Sequence, residues 1–227
     1  MSESRNRLTA ILPATGRILL IPVMLWASAG IIHGMARMPL DLQARDMWYC
    51  LLGFSVGLVL FALCSPLIRV YVIGHELSHY LVAKLFKRRT RNFRVGKTSG
   101  SVDVHRPNVW IVLAPYMVPI YTVIWLLIMA VVSIGDRPEW LAPVTVAGVG
   151  LTYAFHVVLT VIMLIQGQTD LKFYGPAFSI CLIILVNSAC VYGALAVLSG
   201  NLNSCMSLLG TTYVDQWQWL KGMIEGF

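Results

Sequence analysis

The sequence predicts an all-α polytopic membrane protein, a bundle of five to six membrane helices with a small β-hairpin at the membrane surface. Three observations lead there. Hydrophobic residues make up 58% of the chain and charged residues only 12%, with a mean hydropathy of +0.74, far from the balance of a water-soluble domain. Apolar runs long enough to cross a bilayer occur at about residues 18–36, 48–66, 108–133, 141–166 and 177–199. A further apolar segment, about 67–86, carries the polar cluster His75-Glu76-Leu77-Ser78-His79 in its middle.

The first run follows Arg5, Arg7 and Arg17, and Ala27-Ser28-Ala29 has the small-residue pattern of a signal-peptidase site. Because the apolar stretch continues through Ile31 and Ile32, the run is expected to persist as a first helix. The second run follows it directly. The segment 67–86 comes after Pro66 and contains Arg69 and Gly74 besides its polar cluster. Such a helix is tolerated at membrane depth only against protein or a wet cavity.

Beyond it the positive charge is concentrated. Lys84, Lys87, Arg88, Arg89, Arg91, Arg94, Lys97 and Arg106 supply eight of the seventeen Lys and Arg residues, which places residues 87–107 on the cytoplasmic side by the positive-inside tendency. Only Phe86 and Phe93 stand among these charges and apolar segments flank them on both sides, so anionic lipid headgroups rather than nucleic acid are the expected partner. If the arginine-rich amino terminus is cytoplasmic too, one apolar segment must fail to cross. The segment 67–86 is then re-entrant or steeply tilted; otherwise the amino terminus lies outside.

Within the basic stretch, Asn92–Gly96 and Gly100–His105 alternate with the period of strands around a turn at Lys97-Thr98-Ser99-Gly100. A surface hairpin is expected, with an edge on which a substrate segment could be added as a strand. Ala114-Pro115-Tyr116 and Val118-Pro119 imply a kink or break in the third run. At the carboxyl end, Trp217, Leu220 and Ile224 share a face with Trp219 and Met223 beside them, the pattern of an interfacial helix over residues 200–227. Cys50, Cys64, Cys181, Cys190 and Cys205 lie mostly in apolar segments without ligand spacing and read as small core residues. The whole chain, 1–227, is expected to form one membrane-embedded domain with its core at about 67–190.

The chemistry lies in residues 75–79. On a helix, residues four apart share a face, so His75 and His79 can present two imidazoles to one metal ion while Glu76 stands beside a water. The competing structural reading is a hydrogen-bonded polar cluster tying helices together. Ionisable side chains at membrane depth are costly and tend to mark functional sites, which favours the metal. Zinc is the expected ion, since a hydrolytic zinc site takes three protein ligands and leaves a fourth position for water.

The third ligand has two candidates, Asp170 in Gln166-Gly167-Gln168-Thr169-Asp170-Leu171, and His156. They are fourteen residues apart, about 21 Å along a continuous helix, and cannot both reach one ion unless the chain breaks between them. Asp170 follows such a break at Gly167 and is preferred; its structural alternative is a helix cap, and that of His156 is an interhelical hydrogen bond. Ser78, Gln166, Gln168, Thr169 and Asn187 are polar residues that could admit water or, for Asn187, orient a ligand or bond a neighbouring helix.

A His-Glu-x-x-His motif on an apolar helix, then a basic loop with strand-like Phe93–Val95 and Gly100–Val104, then a distant aspartate near another membrane helix, resembles the site-2 protease family of intramembrane zinc metallopeptidases across roughly residues 67–190. The resemblance implies cleavage of a membrane-embedded or membrane-proximal polypeptide, with zinc held by His75, His79 and Asp170 and with Glu76 as general base. The surroundings of the aspartate differ: the family's Asn-Pro-x-x-Asp-Gly or Leu-Asp-Gly is here Gln168-Thr169-Asp170-Leu171. The expected function is intramembrane metalloproteolysis. The alternatives are a noncatalytic relative that binds other membrane proteins and a metal-handling transporter or sensor.

Overall fold

Helix pairing in this protein is set by where side chains are missing. The computed structural model describes residues 14–39, 45–63, 68–96, 99–135 and 137–226. Arg5, Arg7, Cys64, Pro66, Lys97 and Thr98, invoked above, lie outside the described residues. In chain order the elements are α1 (Ala14–Arg37), α2 (Arg45–Leu63), α3 (Ile68–Leu85), β1 (Thr90–Val95), β2 (Gly100–Val104), α4 (Val109–Val112), α5 (Ala114–Met117), α6 (Ile120–Val132), α7 (Leu141–Gln166), α8 (Thr169–Tyr174), α9 (Pro176–Leu198) and α10 (Leu202–Glu225). Among the described residues four helices, α1, α2, α7 and α9, are long and apolar enough to cross a membrane. The chain is a helical membrane protein with one small antiparallel sheet. Its described residues fall into two compact units.

The first unit holds residues 44–179. Its closest helix pair is α2 with α7. A Cβ added at Gly57 would lie 2.7 Å from Ala154 Cβ and 2.8 Å from Leu151 O. At Gly53 it would strike Ala147 O, and at Gly150 it would meet Cys50 O and Phe54 N. Backbone thus lies against backbone, the small-xxx-small packing by which helices gain contact in lipid, where burial of apolar surface alone gives no advantage. Helix α6 then lies on α7, with Trp125 Nε1 donating to Thr145 O at 3.0 Å and Thr152 Oγ1 donating to Thr122 Oγ1 at 3.1 Å.

The run 108–133 is not one helix. Asn108 caps α4, its Oδ1 accepting from Ile111 N at 3.0 Å; Leu113 interrupts the chain, Pro115 opens α5, and Val118 with Pro119 separates α5 from the 13-residue α6. Residues 111–117 are all buried, so this irregular backbone is covered by protein, the condition for its survival in a membrane.

Helix α3 ends at Leu85. Lys87, at φ 53°, turns the chain, and Arg88 N donates to Ala83 O at 2.8 Å. The hairpin β1–β2 follows, pairing Thr90 with Val104, Arg91 with Asp103, Arg94 with Ser101 and Val95 with Gly100. A bulge falls between Arg91 and Arg94, where Asn92 takes a positive φ of 51° and its amide donates to Asp103 Oδ2 at 2.7 Å. Gly100, which the sequence placed at both the end of the turn and the start of the second strand, is the first residue of β2.

The second unit holds residues 13–43 and 180–227. Here α10 packs on α1. Tyr213 Oη donates to Ala27 O at 2.7 Å, Gln216 Nε2 donates to Trp26 O at 3.2 Å, and Arg37 pairs with Asp215 at 2.7 Å. Gly30 leaves room for the Tyr213 ring and Gly34 for Tyr192 and Leu209. The Asn187 amide donates to Ile183 O of its own helix at 2.9 Å.

Candidate metal centre

Three elements of the first unit carry the centre, and each is fixed by a local feature of sequence. Helix α3 buries Val72, Glu76 and Ala83 along one line and Gly74 and Ser78 along another, which fixes its rotation with His75 and His79 on the face between them. Helix α7 ends at Gly167, whose φ of 68° gives a left-handed cap with its N–H on Met163 O and Leu164 O. The chain reverses there and enters α8, which is held in place by Leu171 and Tyr174, both buried, and by Ser179 Oγ donating to Leu171 O at 3.1 Å. Asp170, in the first turn of α8, is thereby aimed back at α3.

The result is a triangle of donor atoms. His75 Nε2 and His79 Nε2 are 3.3 Å apart; Asp170 Oδ2 lies 3.3 Å from the first and 3.5 Å from the second. Ligands bound at about 2.0–2.2 Å and disposed tetrahedrally are separated by about 3.3–3.6 Å. The side chains are mostly covered, 12% exposed for each histidine and 25% for the aspartate. Among the described residues, these are the three His, Cys, Asp or Glu side chains whose ligand atoms converge in this way.

The outer nitrogens are held as well. His79 Nδ1–H donates to Ile111 O at 2.7 Å, which in a neutral imidazole leaves Nε2 bare and pointing into the triangle. His75 Nδ1 lies 2.7 Å from Tyr71 Oη, and donation from Nδ1–H to the phenol oxygen gives the same tautomer. On the other side, Tyr116 Oη–H donates to Asp170 Oδ2 at 3.3 Å while its ring meets His75 edge-on at 5.6 Å. Tyr116 is fully buried.

Glu76 is buried too, at 7% exposure, and lies within electrostatic range of His75, His79 and Asp170. Its cover is β2: a Cβ on Gly100 would stand 2.5 Å from Glu76 Cγ and 3.0 Å from Glu76 Oε1. The hairpin therefore seats its backbone directly on the carboxylate-bearing side chain.

The residues picked from sequence separate clearly. His75, His79 and Asp170 come together, with Glu76 on the adjoining face of α3. His156 sits elsewhere, on the wall of a cavity next to His75, with its ring 5.7 Å from that of Tyr153. Ser78 Oγ donates to Gly74 O of its own helix at 2.8 Å, and Gln168 Nε2 contacts Met163 Sδ at 3.2 Å. Sequence reading missed Tyr71, Tyr116 and the carbonyl of Ile111. Tyr71 had a signal, standing four residues before His75 on the same helical face. The Ile111 carbonyl had none, because a backbone acceptor is independent of side-chain identity.

No protein-family model, curated protein or solved structure matches this chain.

Proposed function

We propose that the chain is an intramembrane zinc metalloprotease of the site-2 protease type, acting on membrane-embedded or membrane-proximal polypeptides. The observation that carries this reading is the triangle of His75 Nε2, His79 Nε2 and Asp170 Oδ2, with sides of 3.3, 3.3 and 3.5 Å. A purely hydrogen-bonded cluster accounts for it less well. Two imidazoles facing each other through Nε2 can share one proton at most, and full protonation would set two N–H groups against each other. A dication gives all three lone pairs a partner. It also balances the two carboxylates, Asp170 and Glu76, gathered in a buried place.

Bound there, zinc would acidify its water and polarise the scissile carbonyl. The protein's own groups do the rest. Glu76 accepts the proton of the attacking water and delivers it to the departing amine. Tyr71 and the Ile111 carbonyl fix the two imidazoles in the tautomer that ligation needs, and Tyr116 steadies the aspartate. The hairpin over Glu76 limits access of bulk water from that side. With α3 and α6 set at membrane depth and counted with the four long helices, the chain reaches the expected five to six membrane helices. The basic stretch 87–107 then faces the cytoplasm and its anionic lipid.

The test is reconstitution in vesicles with a membrane-spanning peptide. The wild-type chain is expected to bind about one zinc ion and to cut the peptide. Glu76→Gln should keep the zinc and lose cleavage by about 10²–10⁴-fold. A zinc-loaded wild type that captures membrane peptides without cutting any would overturn the hydrolase reading in favour of a binding protein, and rapid passage of zinc across the vesicle would favour a transporter.

A further inference from the structure

Tyr116 contacts the metal-facing atom of the aspartate. Its Oη lies 3.3 Å from Asp170 Oδ2, the same oxygen that stands 3.3 Å and 3.5 Å from the two imidazole nitrogens, and its ring meets His75 edge-on. The phenol therefore rests against two of the three ligands. A group bound at the open fourth position of a tetrahedral site also stands about 3.3–3.6 Å from that oxygen. We infer that Tyr116 is a catalytic residue whose O–H donates to the oxygen of the scissile carbonyl as water adds to the carbon. The inference rests on the protease reading for its substrate, and it gives that reading an electrophilic donor.

The chemistry calls for one. Addition of water forms a C–O bond, sends a proton to Glu76 and moves the carbonyl π pair onto oxygen. The new negative charge arises next to the Asp170 carboxylate in a buried place, where a donor already in position has its largest effect. Other hydroxyls nearby are turned elsewhere: Ser78 Oγ donates to Gly74 O and Tyr121 Oη to Val70 O. When the adduct collapses, the C–N bond breaks, the pair returns to the carbonyl and Glu76 hands its proton to the departing amine. Tyr116 keeps its own proton throughout.

The backbone holds the phenol ready. Residues 111–117 are all buried, and Tyr116 N donates to Leu113 O at 3.1 Å and Val118 N to Ala114 O at 2.8 Å. An unbroken helix would set residues 111 and 116 about 140° apart around its axis and would direct the N–H of residue 115 at the Ile111 carbonyl. Residue 115 is proline and has no N–H. The break thus leaves a lone pair of Ile111 O for His79 and brings Tyr116 to the same ligands. At rest the bond to Asp170 Oδ2 keeps the phenol at the site; an alkoxide, carrying a full charge, is the stronger acceptor and takes the O–H in its turn.

The experiment compares the wild type with Tyr116→Phe in lipid nanodiscs, at buffered free zinc high enough to fill both. Two inhibitors of one peptide sequence are used: a phosphinic peptide, whose tetrahedral anionic oxygens mimic the adduct, and a thiol peptide, which binds through sulfur alone. By calorimetry Tyr116→Phe should lose about 10²-fold in affinity for the phosphinic peptide and less than about threefold for the thiol. With a cleavable membrane peptide kcat should fall by a similar factor and KM little. Tyr71→Phe, which removes the phenol behind His75, should leave the ratio of the two affinities unchanged. Equal losses for both inhibitors in Tyr116→Phe, or none for either, would overturn the assignment. A reading that keeps the hydroxyl comes from 3-fluorotyrosine incorporated at position 116: its fluorine resonance should move on addition of the phosphinic peptide and much less with the thiol, and identical responses would overturn the assignment. If the phosphinic peptide loses affinity as stated but the wild type cuts no peptide, the protease reading fails and the donor stands. If the wild type cuts and Tyr116→Phe, with its zinc site filled, cuts equally fast, the donor fails alone.

Discussion

Gly100 of β2 lies against Glu76 of α3 so closely that a single added carbon would stand 2.5 Å from Glu76 Cγ and 2.9 Å from Val72 Cγ1. The hairpin is thereby joined to the carboxylate that the proposed reaction uses, and glycine is the residue that permits the approach. Gly100→Val should lift β2 away from α3, admitting water and loosening Glu76. The expected outcome is a fall in cleavage rate of at least about tenfold with zinc content unchanged, read by peptide cleavage alongside metal analysis. Unchanged cleavage would show that the hairpin does not position Glu76.

Metal content should distinguish the two aspirant third ligands. Asp170→Ala leaves two imidazoles and should lose zinc on passage through a weak chelator, whereas His156→Ala should retain about one ion per chain. Atomic absorption on purified protein reads the difference. Retention of zinc by Asp170→Ala would remove the aspartate from the site.

The partners behind the ligands carry their own expectation. Tyr71→Phe deletes the oxygen 2.7 Å from His75 Nδ1, and Tyr116→Phe deletes the donor 3.3 Å from Asp170 Oδ2. Each should weaken zinc by about 10–100-fold, measured by competition with a fluorescent chelator, while helix content by circular dichroism stays the same. An unchanged zinc affinity in both variants would mean that these phenols serve packing alone.

Stability should respond sharply at the α2–α7 contact. Gly53→Leu forces a side chain onto the backbone at Ala147, and overpacking of this kind costs about 1–3 kcal/mol. Thermal unfolding in detergent should fall accordingly, and the α2–α7 pair should separate. Gly193→Ala, with nothing within 4 Å of the added carbon and an ordinary helical backbone, is the control.

Much of this was legible in the chain itself. The apolar composition and the length of the runs gave the solvent and the helices, because a bilayer leaves few ways to satisfy a backbone. The spacing of His75 and His79 gave a shared helical face, and Gly167 gave the break that frees Asp170 from α7. Pro115 and Pro119 marked the interruption of the third run. What the chain did not disclose was distance. That Asp170 and not His156 closes the triangle, that the Ile111 carbonyl takes the His79 proton, that Gly100 covers Glu76 and that α2 lies backbone-to-backbone on α7 are relations between residues remote in sequence. Local periodicity specifies only which way a side chain faces on its own element; which partner it meets is decided by packing, where the absence of a few side chains on α2, α7 and β2 determines how near the elements can come.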